Sequence, residues 1–399
     1  MALILFIIES CSIIYFDRKF YGTYYTPAIA LSLPMILISI LAVAFAQQIG
    51  FYSIYLPIFY LWSIGLLFFW LGGIMLSMII CRRGNKRFPA EHYLKLLLRS
   101  RKKILYVGIA MAIYIDIYIY INLLRFNFVF DDDWENVIST GMFAHISLFF
   151  KLISIFAFSC ISSRNKKIFN IGYVYIFLSA LLLATLYTVK SGILILLLSA
   201  ILLRIYIYNV KFKIKYFAYL LLLAFIIFFL SYSLVFGYWA PFDFIINHTI
   251  FYFTSSIASF SQYLYHENPM GVSFQFLFMP FFNLYNKIMG LPMQEVISDL
   301  WTQIGADASS NVKTFFGTVF IYGGYLGGIF TSFIWGIVAY FSFIMSVKGY
   351  WIFSANTCLI ITALFFGWFD LYFNTFAYYE YFFYTVMLFL CNLCFVRKK

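Results

Sequence analysis

Two histidines are the residues of this sequence best suited to proton transfer near neutral pH. A histidine side chain ordinarily titrates near neutral pH, so His248 and His266 are candidate general bases. In a straight helix their eighteen-residue separation corresponds to about 27 Å. They therefore cannot serve the same reacting atom unless the chain folds between them. Asp243, Glu267 and Asp299 are rival bases, and at most one of these residues takes the role.

The stretch that carries both histidines has the periodicity of an amphipathic helix. From Phe242 to His266, apolar residues recur at spacings of three and four along one face. This predicts a helix that lies in the membrane interface with its polar side toward water. On this alternative the histidines are interfacial polar groups rather than bases. The polar stripe consists of His248, Ser255, Ser259, Gln262 and His266.

Composition indicates the kind of element that must position these residues. Of the 399 residues, 64% are hydrophobic and only 11% are charged, whereas a soluble domain has about 25% charged residues. Apolar stretches of about 20 residues recur, each long enough to cross a hydrocarbon core. Lipid offers no partners for open backbone, so the stretches should be helices. We therefore predict an all-α polytopic integral membrane protein, with residues 1–399 forming a single transmembrane domain.

The basic residues orient about eleven predicted spans. Most of the 27 Lys and Arg residues fall in clusters on one side, which the positive-inside rule makes cytoplasmic. The N-terminus is then external and the C-terminus cytoplasmic. The net charge of +12 thus reflects topology and does not indicate nucleic-acid binding. The predicted spans are Ala2–Phe16, Pro27–Gln48, Pro57–Ile80, Ile104–Leu124, Gly141–Ile161, Ile168–Tyr187, Gly192–Tyr208, Tyr216–Phe236, Val319–Met345, Trp351–Phe369 and Tyr381–Phe395.

One large loop, Gly237–Phe316, lies on the predicted external face. It contains the amphipathic stretch and a second apolar piece, Ser273–Met289, which Pro280 interrupts. A rival arrangement makes both pieces spanning, which gives thirteen spans. We rank it second, because the turn His266–Pro269 would then be cytoplasmic and carries no Lys or Arg.

Two segments near the end of this loop resemble the O-antigen polymerases (Wzy-type oligosaccharide repeat-unit polymerases). They are Ser310–Gly317, with the sequence SNVKTFFG, and Tyr322–Gly328, with the sequence YGGYLGG. That family commonly closes its large external loop with an Asn-x-x-Thr segment. It then enters a helix through an Asp-Phe-Gly-x-x-Gly-like pattern. Gly324 and Gly327 match this pattern, and Tyr322 stands where Asp is usual.

A further stretch, Tyr187–Gly192, resembles an external turn of the same family. In that turn an Arg and a small residue precede a Leu-rich helix. Here Lys190 stands where Arg is usual, and Leu194–Leu198 begins the leucine run. The number of predicted spans and the position of the large loop also resemble those of this family.

The resemblance implies a glycosyltransferase of the bacterial cytoplasmic (inner) membrane. A growing glycan would leave its undecaprenyl pyrophosphate carrier for a new lipid-linked repeat unit on the external face. Such chemistry needs a base for the acceptor hydroxyl and cations for the leaving pyrophosphate. The implied partners are the undecaprenyl-pyrophosphate-linked oligosaccharide as donor and acceptor, a chain-length regulator, a flippase and the lipid bilayer. No cofactor, no metal and no nucleic acid is implied.

Few cations lie on the predicted external face, where most acids also lie. Because the implied substrate is an anion, these cations are its natural contacts, although each could instead be a solvated loop charge. Asn311 joins them through the Asn-x-x-Thr segment. The predicted substrate-binding residues are Arg125, Lys190, Lys287, Asn311 and Lys313.

Two other function classes remain as alternatives. A lipid-linked oligosaccharide flippase or transporter should concentrate cations in a cavity between related halves, but the sequence has no internal repeat. A membrane acyltransferase would favour His and Arg on the cytoplasmic side or in early helices.

Within the spans, Asp116 and Lys151 are predicted to form a buried pair. His145 is predicted to be a packed polar group.

Overall fold

The computed structural model describes residues 1–80, 90–127, 132–162, 165–187, 190–208, 210, 242–267, 273–293 and 300–396. Apart from one short hairpin and two 3₁₀ turns, the regular elements of these residues are α-helices. The helices are α1 (Ala2–Tyr21), α2 (Pro27–Phe45), α3 (Ile58–Ile80), α4 (Ala90–Arg125), α5 (Asp132–Ser139), α6 (Gly141–Cys160), α7 (Lys167–Leu186), α8 (Lys190–Tyr208), α9 (Phe242–His266), α10 (Phe274–Leu277), α11 (Met279–Met289), α12 (Phe315–Val347), α13 (Phe353–Phe365) and α14 (Phe376–Val396).

Seven of the described helices are long and apolar enough to cross a membrane, as in a multi-pass membrane protein. They are α2, α3, α4, α6, α7, α8 and α12. The helices α13 and the apolar part of α14 are shorter, and they coincide with the last two predicted spans. The predicted span Tyr216–Phe236 lies outside the described residues. The all-α prediction is therefore confirmed, whereas the count of eleven spans stays a prediction.

The first helix extends beyond the span predicted for it, because a charged residue is paired inside the fold. The prediction ends this span at Phe16, before Asp17. In the structure Asp17 is fully buried. Its carboxylate accepts hydrogen bonds from Trp70 Nε1 at 3.1 Å and from Tyr340 Oη at 2.6 Å. A buried acid with such donors can remain within a helix, and α1 continues to Tyr21.

Contact density divides the chain into two compact units. Unit 1 consists of Met1–Lys86, Lys213–Phe341 and Ala363–Phe376. Unit 2 consists of Arg87–Phe212, Ser342–Thr362 and Ala377–Lys399. The large loop belongs to unit 1.

Within unit 1, a short antiparallel hairpin closes the large loop. Strands β1 (Thr302–Gly305) and β2 (Ala308–Ser310) pair with Thr302 opposite Ser310. The backbone N–H of Tyr52 donates to Ile304 O at 2.7 Å. The segment between α2 and α3 is therefore tied to the hairpin.

The middle of the polar stripe of α9 is buried, which corrects the prediction that the whole stripe faces water. Ser255, Ser259 and Gln262 are each exposed by 5% or less. Gln262 Nε2 donates to Ser53 O at 3.0 Å, and Ser259 Oγ donates to Ser310 O at 3.0 Å. The loops that cover α9 present backbone acceptors that require donors. The stripe supplies those donors, so it points into unit 1.

The second apolar piece of the loop is too short in the structure to cross a membrane. It forms α10, with four residues, and α11, with eleven. A helix of eleven residues measures about 16 Å, against a hydrocarbon core of roughly 30 Å. Pro280 lies in the first turn of α11, where proline is tolerated. The thirteen-span arrangement requires this piece to span the membrane, and the number of spans stays a prediction.

Accessibility to an impermeant thiol reagent tests the predicted orientation. In a cysteine-free variant, single cysteines at Gly271 and Ser309 should both label in intact spheroplasts. A cysteine at Lys348, which is exposed and predicted to be cytoplasmic, should label only after permeabilisation. Labelling at Ser309 but not Gly271 would favour thirteen spans. Labelling at neither position would contradict the external loop.

Candidate functional site

The segment that enters α12 contains a strained residue. Thr314 has φ 68°, a left-handed conformation that is costly for a β-branched side chain. Its N–H donates to Phe369 O at 3.1 Å, and the N–H of Phe315 donates to Gly367 O at 2.6 Å. Its Oγ1 accepts from the N–H of Gly317 at 3.0 Å and so caps α12. The surrounding bonds thus hold Thr314 in this conformation.

The neighbouring lysine of the same segment is buried. Lys313 is 3% exposed. Its Nζ donates to Ser259 Oγ at 2.6 Å, to Leu300 O at 2.7 Å and to Ser310 O at 3.2 Å. All three ammonium hydrogens therefore have acceptors within the protein. Lys313 ties the end of the large loop to α9.

An acid that the sequence prediction did not single out acts on this lysine. Asp370 Oδ1 accepts hydrogen bonds from Thr318 Oγ1 at 3.3 Å and from the N–H of Leu371 at 2.7 Å. Removal from water raises the pKa of Asp370, and the Lys313 charge opposes that rise. Burial likewise lowers the pKa of Lys313, and the Asp370 charge opposes that change. The two groups form one electrostatic cluster at the start of α12.

The glycine-rich segment that follows breaks α12. Gly324 has φ 64° and ψ −169°, a region open essentially to glycine alone. Beside the break, Phe276 of α10 stacks on Tyr322 with ring centroids 4.0 Å apart. A Cβ on Gly327 would lie 3.0 Å from the ring of Phe274. The large loop therefore packs against α12 at this break.

The structure places the predicted bases of unit 1 far apart along α9. His248 lines a cleft of about 380 Å³ together with Gln48, Phe51 and Asn247. Its ring stacks on that of Phe251 with centroids 5.7 Å apart. His266 and Glu267, at the other end of the helix, are exposed. As predicted from their spacing, the two histidines do not meet.

The remaining candidates of the large loop are solvent-accessible. Lys287 is exposed in the last turn of α11. Asn311 is exposed next to the hairpin. Among the described residues, no contact joins Lys287 or Asn311 to His248. Metal ligation is also not indicated, because no group of three His, Cys, Asp or Glu side chains in the described residues could hold an ion.

In unit 2 the histidine predicted to be a packed polar group instead forms a pair with a glutamate. His145 Nδ1 lies 2.9 and 3.0 Å from the two carboxylate oxygens of Glu380. Tyr384 Oη lies 2.9 Å from Glu380 Oε2 and 3.1 Å from His145 O. The Glu380 side chain is 9% exposed, whereas that of His145 is 55% exposed. The carboxylate is therefore enclosed and the imidazole is accessible.

A tyrosine at the end of α7 contacts α6, the helix that carries His145. Tyr187, at the end of α7, donates its hydroxyl to Ile138 O at 2.5 Å and lies 3.1 Å from Ser147 Oγ. Lys151 Nζ lies 4.3 Å from the centroid of the Tyr187 ring. Lys190 begins α8, and its side chain lies outside the described residues.

The predicted ion pair between Asp116 and Lys151 is wrong. Asp116 Oδ2 instead accepts hydrogen bonds from Tyr175 Oη at 2.7 Å and from Ser179 Oγ at 2.9 Å. Lys151 lies over the Tyr187 ring. Both charges find neutral partners on α7 or at its end, and such bonds lower the cost of an intramembrane charge.

The last candidate, Arg125, lines an open cleft of about 400 Å³ in unit 2. Tyr118 and Phe143 form one wall and stack with ring centroids 3.9 Å apart. Asn122 is buried beside them and donates to Tyr118 O at 2.9 Å. An exposed guanidinium next to an aromatic wall suits a ligand that carries both an anionic group and an apolar face.

Glu380 and Asp370 are the functional candidates that sequence reasoning missed. Both appear in the sequence only as isolated acids near the predicted outer ends of spans. Glu380 and His145 are 235 residues apart, so no local spacing links them. The only signal in the sequence was that Glu380 and His145 are both predicted to lie toward the external face of the membrane.

Comparisons with known proteins give one result. The family model described as "Family of unknown function (DUF6337)" matches residues 50–397. No curated protein and no solved structure matches the chain.

Proposed function

We propose that this chain, which belongs to the family of unknown function DUF6337, polymerises lipid-linked oligosaccharide repeat units of the O-antigen or capsule type. The observation that carries the proposal concerns the two segments that resemble such polymerases, Ser310–Gly317 and Tyr322–Gly328. Each contains a backbone conformation that a plain membrane helix does not need, at Thr314 and at Gly324. Strained backbone persists where surrounding structure enforces it, commonly at functional sites.

The distribution of polar groups also supports a reaction at the membrane surface. Lys313 and Asp370 in unit 1, and His145 and Glu380 in unit 2, all lie near helix ends predicted to be external. In a transporter of charged lipid-linked sugar, we would expect cations along a path through the membrane. Here Asp116 and Lys151, two of the charges within predicted spans of unit 2, interact with tyrosine and serine side chains.

We propose two different roles for the predicted cations. Arg125 is exposed, and Lys190 begins a helix immediately after a short turn, so both suit a pyrophosphate contact. The ammonium group of Lys313 donates all three of its hydrogens to protein acceptors. We assign it the positioning of the loop that includes Asn311, without contact to substrate.

The proposed setting follows from the reaction. The protein would lie in the bacterial cytoplasmic membrane with its C-terminus inside and would act on the external face. Its donor and acceptor would be undecaprenyl-pyrophosphate-linked oligosaccharides. A flippase would deliver them, and a chain-length regulator would limit the product.

Deletion of the gene tests the function. The mutant should display glycan of one repeat unit, with core and anchor intact, because flipping and attachment are separate steps. Electrophoresis and mass spectrometry of surface glycan measure this, with the plasmid-borne gene as control. Surface glycan that is absent, with repeat units stranded inside, would favour a flippase. An unchanged polymer ladder would exclude both functions.

A further inference from the structure

The His145–Glu380 pair has the geometry of a histidine oriented for proton transfer. A carboxylate only accepts hydrogen bonds, so the Nδ1 atom that faces Glu380 must carry the hydrogen. The lone pair of the neutral ring is then on Nε2. A third group, Tyr384 Oη, lies within hydrogen-bond distance of the carboxylate and fixes it in turn. A nucleophile's base held by a second group is the usual arrangement in hydrolases and transferases.

The two ends of this pair differ in accessibility in the way that catalysis requires. Glu380 is enclosed, at 9% exposure of its side chain, while His145 is 55% exposed. Nε2 makes no hydrogen bond to any residue that the structure describes. The proton-accepting atom is therefore open to an approaching hydroxyl group.

The surroundings of the pair match a reaction that releases an anion. Ser147, two residues after His145 on α6, has its Oγ 3.1 Å from the hydroxyl of Tyr187. Tyr187 closes α7 immediately before the turn to Lys190, and Lys151 lies against its ring. The pair therefore lies near the turn that carries a proposed pyrophosphate contact, all within unit 2.

We propose that His145 is the catalytic base of glycosyl transfer and that Glu380 is its positioning residue. Nε2 of His145 takes the proton from the acceptor sugar hydroxyl, whose oxygen forms a bond to the anomeric carbon of the donor glycan. The bond from that carbon to the pyrophosphate oxygen breaks, and its electron pair leaves with undecaprenyl pyrophosphate. The proton then passes from the imidazolium to the released pyrophosphate or to water. This inference rests on the proposed function.

Purified protein with the lipid-linked repeat unit isolated from the deletion strain provides the assay. The central variant is His145→Asn, because an amide nitrogen can still donate to Glu380 at the Nδ1 position, while nothing replaces Nε2. We expect kcat to fall about 100-fold or more, with KM and membrane abundance close to wild type. His92→Ala, which removes a histidine from the first turn of α4, is the matched control and should leave kcat unchanged.

Rescue distinguishes a base from a structural clasp. Added imidazole should restore part of the activity of His145→Ala, because the exposed position admits it, and should not raise the wild-type rate. Glu380→Gln should lower kcat at least 10-fold with little change in KM. A wild-type kcat for His145→Asn, or no rescue of His145→Ala by imidazole, overturns the assignment. If the wild-type protein itself forms no polymer, the proposed function has failed instead.

Discussion

Replacing Gly336 by alanine should remove most of the protein from the membrane. Gly336 lies in α12 where that helix crosses α3, and a Cβ there would overlap the backbone carbonyl of Phe69. A side-chain tip can rotate away from such an overlap, but a backbone carbonyl within a helix cannot. The helices would have to separate, at a cost above about 2 kcal/mol.

The contact extends along a seam of glycines in unit 1. A Cβ on Gly72 would overlap the carbonyl oxygen of Phe333, and one on Gly73 would overlap the ring of Tyr340. Gly65, about two helical turns earlier, accommodates Phe316 in the same way. Small residues allow close approach of membrane helices, whose packing replaces the hydrophobic drive of soluble cores.

Gly192→Ala is the matched control for this substitution. Gly192 lies in α8, and nothing lies within 4 Å of its ideal Cβ. The same chemical change should therefore be tolerated, with a gain in helix propensity of up to about 1 kcal/mol. Thermal unfolding in detergent and membrane abundance measure both variants. Equal stability of the two would contradict the close crossing of α3 and α12.

Replacing Lys313 by methionine should detach the end of the large loop from α9. The change removes the Lys313 donor from the Leu300 carbonyl, whereas the Ser310 carbonyl keeps the hydrogen bond from Ser259 Oγ. A buried acceptor left without a donor costs about 1–3 kcal/mol. Hydrogen exchange should rise in the hairpin Thr302–Ser310, and polymer formation should be lost or shortened. The exposed Lys348→Met should change neither.

The same variant should alter how stability depends on pH. Burial lowers the pKa of Lys313 in the folded protein, so between that value and the ordinary lysine value near 10.4 the unfolded chain binds more protons. Stability from this residue therefore rises with pH across that window. The stability difference between wild type and Lys313→Met should grow as the pH rises. A constant difference would show that Lys313 does not titrate in the fold.

Asp370 should contribute with the opposite sign at lower pH. Its raised pKa means that the folded protein binds more protons than the unfolded chain above the ordinary aspartate value near 3.9. Its contribution to stability therefore falls as the pH rises toward the raised pKa. In Lys313→Met the alkaline limb should disappear, and the acid limb should move to higher pH, because the charge that opposes the rise in the pKa of Asp370 is gone.

Local sequence pattern was sufficient to predict where the helices lie. It was insufficient to predict which residues from other helices and loops contact them. Hydropathy predicted a span at Gly141–Ile161, and α6 occupies Gly141–Cys160. It could not tell that Asp17 lies inside a helix, because the donors Trp70 and Tyr340 are distant in sequence. The polar stripe of α9 was correctly identified as one face. Its orientation was predicted wrongly, because periodicity does not reveal which loops will cover that face.

By itself the sequence determined the class of this protein, the positions of the long apolar helices that the structure describes, and the separation of His248 from His266 along one helix. These properties depend on composition, on lengths relative to a bilayer and on the fixed rise of a helix. Only the tertiary structure decided that Lys313 is a buried tie, that Gly324 breaks α12 and that His145 meets Glu380. The reason is that a hydrogen bond depends on positions within about 3 Å. Residues more than two hundred positions apart reach such distances only when the helices that carry them pack together.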